Sequence, residues 1–199
     1  EFFTGILWLL TYDLKPLSLY DFPLYINIIS NLVLITILFA ITYFDLKYFW
    51  IPLKIVIFGS IYIIFIFLFQ SIIEVSLSKL FVLLENIFVG SVTFYLFEFI
   101  RKKGRYLFNK DVLGKGDSFL IAMGALWIGF YGTLISLFIA FNSATIIELT
   151  KSLFLYKKID RKGYFAFGPY ICLGILIVWI FGYQFLWNGW VNVLHNFVF

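Results

Sequence analysis

Two aspartates in this sequence stand where a carboxylate is hard to explain. Asp117 closes the run Gly114-Lys115-Gly116-Asp117 and opens a stretch without a single charge from Ser118 to Ile147. Asp45 ends another apolar run, in ITYFDLKYFWIP. Insertion into hydrocarbon penalises an aspartate by about 3 kcal/mol, so an acid held at such a border has a task to perform. Two carboxylates brought close together cannot easily both ionise: one keeps a proton while the other is charged. Such a pair can activate a water with one member and protonate a leaving amide nitrogen with the other, which is the chemistry of peptide-bond hydrolysis. Gly114 and Gly116 fit that use, because glycines let backbone approach a substrate closely. The residues alone leave plainer readings open. Asp117 can serve as the N-cap of a helix starting at Ser118, and Asp45 as an interfacial charge balanced by Lys47.

The elements that must position these acids are membrane helices. The chain has 199 residues, 63% of them hydrophobic, 23% aromatic and only 13% charged, with a mean hydropathy of +1.00. A soluble domain of this size cannot bury so much apolar surface. The apolar runs are continuous rather than alternating and approach the roughly 20 residues a bilayer crossing needs, so they read as helices and not as barrel strands. The expected fold is all-α, a polytopic membrane helix bundle of about six to seven transmembrane helices. The spans expected are Phe2–Tyr12, Phe22–Phe44, Pro52–Gln70, Leu80–Ile100, Ser118–Tyr131, Thr133–Tyr156 and Pro169–Trp187. The first is too short to cross alone and reads as truncated. The fifth is about 21 Å long, against a core of about 30 Å, and implies thinned lipid or shelter among neighbouring helices. Gly132 divides it from the sixth. The chain starts at Glu1 without an initiator methionine (Met123 is its only methionine), and we read residues 1–199 as one membrane-embedded domain, a piece of a longer protein.

Basic residues set the expected orientation. Alternating spans place the loops around 45–51, 101–117 and 157–168 on one side. That side holds Lys47, Lys54, Arg101, Lys102, Lys103, Arg105, Lys110, Lys115, Lys151, Lys157, Lys158, Arg161 and Lys162, and the other only Lys15 and Lys79. Thirteen against two makes the basic side cytoplasmic. Asp45 and Asp117 both fall at that border. The net charge of +4 therefore speaks of topology and contact with anionic lipid, and nothing suggests nucleic acid.

The remaining polar residues carry less. The single cysteine, Cys172, excludes an internal disulfide and a cysteine-rich zinc site. His195 reads as an interfacial side chain rather than a metal ligand, since a site needs several ligands. Glu98 and Glu148 are each placed to pair with a base three residues on, Arg101 and Lys151. Glu85 has no such local partner. On residues alone, a proton-coupled transporter using these acids as a relay, or an idle scaffold, stays open beside the hydrolytic reading.

The Gly114-Lys115-Gly116-Asp117 signature, with an earlier aspartate at a helix end, resembles the GxGD intramembrane aspartyl proteases. Within that group the chain is similar to the type IV prepilin peptidases. Asp45 is followed seven residues later by the proline of an Ile51-Pro52 pair. Phe167, Gly168 and Pro169 match a Phe-Gly-Pro element that opens the last helix in that family. The opening EFFTG resembles a segment before its second membrane helix. Four landmarks in the family's order cover nearly the whole chain. Three positions depart from its habit: Leu53 follows the Ile-Pro pair in place of a polar residue, Phe119 replaces a lysine, and Ala125 replaces a glycine, with Gly124 one position earlier.

The resemblance implies a catalytic pair, Asp45 and Asp117, with Gly114, Gly116, Pro52, Phe167, Gly168 and Pro169 positioning the site or substrate. It implies an endopeptidase that removes the basic leader of type IV prepilins or pseudopilins, with no metal or cofactor needed for proteolysis. A further membrane helix and a cytoplasmic N-methyltransferase region, common in the family, would lie upstream of Glu1. These residues offer no site for that second activity.

Overall fold

In the computed structural model, residues 24–73, 77–108, 113–154 and 166–188 are described. Five helices follow one another: α1 (Leu24–Tyr48), α2 (Leu53–Ile73), α3 (Leu77–Phe108), α4 (Lys115–Phe154) and α5 (Gly168–Phe181). Four segments are long and apolar enough to cross a membrane, at Ile28–Tyr48, Leu53–Ile73, Leu77–Leu107 and Lys115–Lys151. Helices are the expected answer to a bilayer, because they satisfy every backbone amide within the segment. The expected first span at 2–12, the loop bases Lys157 to Lys162, Lys15, Lys110 and His195 lie outside the described residues.

α4 is two helices in one. Gly129 breaks it with φ 67° and ψ −171°, a backbone region open in practice only to glycine. Contacts along α5 show that the chain reverses there. On the first arm, Gly124 faces Ile175 and Trp127 further along meets Trp179 at 5.5 Å, so the positions rise together. On the second arm the order runs backwards, with Ser136 against Gly174 and Phe141 against Phe167 at 5.2 Å. The arms are therefore antiparallel, and α4 is two helices joined at Gly129. The division expected at Gly132 falls three residues earlier. Gly132 is helical, pressed between Ile128 and Val178, and it is Gly129 that adopts the conformation other residues resist.

The short first arm of α4 is the centre of the bundle. Leu120, Met123, Ala125 and Trp127 on it are wholly buried, which answers how a helix shorter than the membrane is accommodated: its neighbours shelter it. An apolar helix buried on all sides needs no polar face. Trp127 ties it to two others. Its indole N–H donates to the Gly59 carbonyl of α2 at 3.2 Å, its ring stacks on Tyr62 at 5.9 Å, and it meets Trp179 of α5 edge-on at 5.5 Å. Trp179 in turn donates to Asn31 of α1 at 2.8 Å. Asn86 of α3 donates to the Leu126 carbonyl at 3.2 Å. Interhelical hydrogen bonds of this kind contribute about 0.6 kcal/mol each inside a membrane, so they select the packing more than they drive it.

The ends follow from the alternation. The C-terminus of α1, the start of α2, the basic end of α3 and both ends of α4 share one end of the bundle, which carries Lys47, Lys54, Arg101, Lys102, Lys103, Arg105, Lys115 and Lys151. Glu98 pairs with Arg101 at 2.7 Å and Glu148 with Lys151 at 2.7 Å, the two i, i+3 partners expected. Glu85 is exposed on the outer face of α3, away from the bundle interior.

Candidate active site

Asp117 is held by the way α4 begins. The helix starts at Lys115, so Gly114 is its N-cap and Asp117 its third residue. The Gly114 N–H donates to Asp117 Oδ2 at 3.0 Å, while the Asp117 N–H donates back to the Gly114 carbonyl at 3.2 Å. This is the reciprocal half of a capping box, in which the third residue's acid reaches back to the N-cap amide. The N-cap role expected for Asp117 itself is thus taken by Gly114. A side chain on Gly114 would begin 3.0 Å from Oδ2, so the bare backbone is what lets the carboxylate fold back.

Asp45 is held from the far end of the chain. It lies in the last turn of α1, and its Oδ2 accepts the N–H of Gly168 at 3.0 Å, across 123 positions of sequence. Gly168 is the first residue of α5. Phe167 before it is buried and packs on Phe141, and its carbonyl receives the N–H groups of Tyr170 and Ile171. Pro169 occupies the first turn, where its missing N–H costs nothing and its fixed φ suits a helix start.

The two carboxylates therefore share one construction. Each is 5% exposed, each gives one oxygen to a glycine N–H, and each lies against the N-terminus of a helix, α4 for Asp117 and α5 for Asp45. Helix N-termini carry partial positive charge from unsatisfied N–H groups, which favours an anion there. Among the described residues neither Oδ1 takes a hydrogen bond, so each carboxyl keeps one oxygen for a ligand. The two are close enough for the charge of Asp45 to act on Asp117.

Further neighbours gather around the two acids. Ile51, 5% exposed, lies against both Gly116 and Gly168. Pro52, also buried, receives the N–H groups of Ile55 and Val56 on its carbonyl and so starts α2. Cys172 hydrogen-bonds Thr42 within electrostatic reach of both aspartates. All eight residues singled out in the sequence, Asp45, Pro52, Gly114, Gly116, Asp117, Phe167, Gly168 and Pro169, gather at this end of the bundle. The sequence reading missed Ile51 as a contact to both acid-bearing segments and Phe141 as the support of Phe167. No spacing rule connects them. Phe119, where a lysine was the habit, packs on Phe94 of α3 at 4.8 Å, so it serves the α3–α4 contact. Gly124 is the small residue that Ile175 requires, since a Cβ there would lie 2.5 Å from its Cδ1. No group of three or more potential metal-ligating side chains exists among the described residues.

The architecture is that of an integral membrane protein, an all-helical bundle with an acid pair sunk into one end. The chain belongs to the type IV leader peptidase family, whose model matches residues 32–149, more than half of the chain and the part that carries both aspartates. It is a membrane peptidase, and the family implies prepilin-type substrates. Neither a curated protein nor a solved structure gives a match.

Proposed function

We propose that this chain is an aspartyl endopeptidase in which Asp45 and Asp117 form one catalytic unit that removes the leader of a type IV prepilin or pseudopilin. The observation that carries the reading is the matched pair of buried carboxylates at one end of the bundle, each anchored through Oδ2 to a glycine N–H at a helix N-terminus.

In that unit one aspartate is ionised and the other protonated. The ionised carboxylate takes a proton from water as the water oxygen bonds to the scissile carbonyl carbon. The protonated partner supplies the proton that the amide nitrogen needs as the C–N bond breaks. The roles then exchange. The glycine N–H bonds hold each carboxylate's orientation through the cycle, and burial keeps bulk water from screening the pair. No metal or cofactor takes part in this scheme.

The location of the pair suits such a substrate. A basic leader followed by an apolar helix cannot draw its charges into the bilayer, so its scissile bond waits at the membrane border. The basic end of the bundle is the cytoplasmic one in this reading, in a prokaryotic inner membrane. A proton relay through the membrane glutamates has little support: Glu85 is exposed, and Glu98 and Glu148 are paired with Arg101 and Lys151.

The test is incubation of the purified chain in detergent with a prepilin, followed by mass spectrometry of the product. Loss of the leader by the native chain and its retention with Asp45→Asn or Asp117→Asn supports the unit. Cleavage by either folded Asn variant near the native rate overturns it.

A further inference from the structure

We infer that Ile51 is a positioning residue: it is the spacer that sets how far apart the Asp45 and Asp117 segments stand. This rests on the two-carboxylate reading above and adds what determines the separation of the pair.

The separation is not set by direct helix packing. Asp45 lies on α1 and Asp117 on α4, and these two helices have no extensive contact with each other among the described residues. α1 packs mainly on α5 and α2, and α4 on α5, α3 and α2. What stands between the acid-bearing segments is the turn from α1 to α2. Ile51 Cβ lies 2.7 Å from where a Gly116 side chain would begin, and Ile51 Cδ1 lies 3.3 Å from that point and 3.2 Å from the matching point on Gly168. Gly116 immediately precedes Asp117, and Gly168 holds Asp45 through its N–H. One methyl group therefore touches both sides of the gap.

The turn is strained to put it there. Phe49 has φ 52°, a left-handed conformation that costs a bulky residue about 1–3 kcal/mol and persists only where the surroundings enforce it. Its N–H closes on the Asp45 carbonyl at 2.9 Å, while Pro52 is fixed by the first turn of α2. Between those anchors Trp50 faces outward, 61% exposed, and Ile51 inward. Strain is spent four residues from Asp45, and the turn delivers one aliphatic side chain between two glycines.

The two roles predict different measurements. A filler changes how much protein folds. A spacer changes how the two carboxylates share a proton, because their mutual repulsion depends on distance. The other titratable or charged groups on adjoining segments are Cys172 on α5, within reach of both acids, Tyr170 beside it, and Lys47, Lys54 and Lys115; all are unchanged by substitution at Ile51.

The experiment compares Ile51→Val and Ile51→Ala with the native chain in detergent, measuring kcat, KM and the pH profile of prepilin cleavage beside circular dichroism and gel filtration. Ile51→Val deletes Cδ1, the atom that reaches both glycines, and keeps most of the core volume. We expect kcat to fall about tenfold for Val and about 10²-fold for Ala, the scale on which small misplacements act, with KM little changed and the width of the pH bell altered. Folded variants with native kcat and a native bell would overturn the spacer role. So would activity lost only in step with folded protein. If Ile51→Ala does not fold, Ile51→Val decides. Active Asp45→Asn or Asp117→Asn would overturn the catalytic pair itself; inactive Asn variants beside native Ile51 variants would remove the spacer alone.

Discussion

Gly168 meets Asp45 twice: its N–H donates to Oδ2 at 3.0 Å, and a side chain on Gly168 would begin 2.6 Å from that same oxygen. Binding and clearance are demanded of one residue. Gly168→Ala must therefore displace the carboxylate or break its hydrogen bond. We expect leader cleavage to fall about 10²-fold while the helical circular dichroism signal is kept. Gly174→Ala is the control: its methyl would run into the Ser136 carbonyl on the second arm of α4, six residues along α5 from the Asp45 contact. It should lower the thermal midpoint and leave the activity of the folded fraction alone. Native cleavage by Gly168→Ala would show that the Asp45 contact is incidental.

The amide variants of the two acids form the second prediction. An amide is nearly isosteric with a carboxyl, so Asp45→Asn and Asp117→Asn should insert and fold as the native chain does. Each should abolish leader cleavage, and the double variant should be hardly worse than either single, because residues that act as a unit are grossly non-additive. The native rate should follow a bell in pH. The rising limb marks the loss of the first proton from the pair, which creates the base; the falling limb marks loss of the second, which removes the acid. A rate that climbs to a plateau would indicate a single titrating group.

Gly129 offers a test of stability. Its φ of 67° with ψ −171° has no comfortable counterpart for a residue with a Cβ, so Gly129→Ala should cost about 1–3 kcal/mol. Reversible unfolding in mixed micelles would measure it. An unaltered midpoint would mean that the chain does not reverse there in the way the α5 contacts describe.

Orientation can be checked with one engineered thiol at a time. In a Cys172→Ser background, cysteine at Lys103 should resist an impermeant thiol reagent added to intact cells and react after lysis, while cysteine at Lys79 should react in both. Efficient labelling of the Lys103 position from outside would invert the topology drawn from the basic residues.

Much of this molecule was legible in its sequence, for identifiable reasons. Span positions came from apolar run length, because hydrocarbon leaves the backbone few alternatives. The ion pairs of Glu98 and Glu148 came from helical spacing, which is local. The all-helical membrane bundle was borne out as well. What was displaced was the break in α4. Gly129 and Gly132 are equally plausible breakers on paper, and only the approach of Val178 to Gly132 decides between them. The site was legible as a set of residues but not as a geometry. Gly168 lies 123 positions from Asp45, and nothing short of the packed bundle shows that its amide is the acid's partner. Ile51 was legible only as half of the Ile51-Pro52 landmark, and its contact with two glycines shows only in the packed bundle.

The knot at Trp127 has a consequence for light as well as for packing. Its indole and that of Trp179 stand 5.5 Å apart and nearly perpendicular, at 79°, with the Tyr62 ring parallel on the other side at 5.9 Å. Chromophores so close and so asymmetrically held couple their electronic transitions and produce a rotational signal in the near ultraviolet. That signal belongs to α2, α4 and α5 jointly, so it fades when any one of them shifts. The bundle thus contains its own label-free optical gauge, readable in detergent or lipid without touching the end where the acids lie.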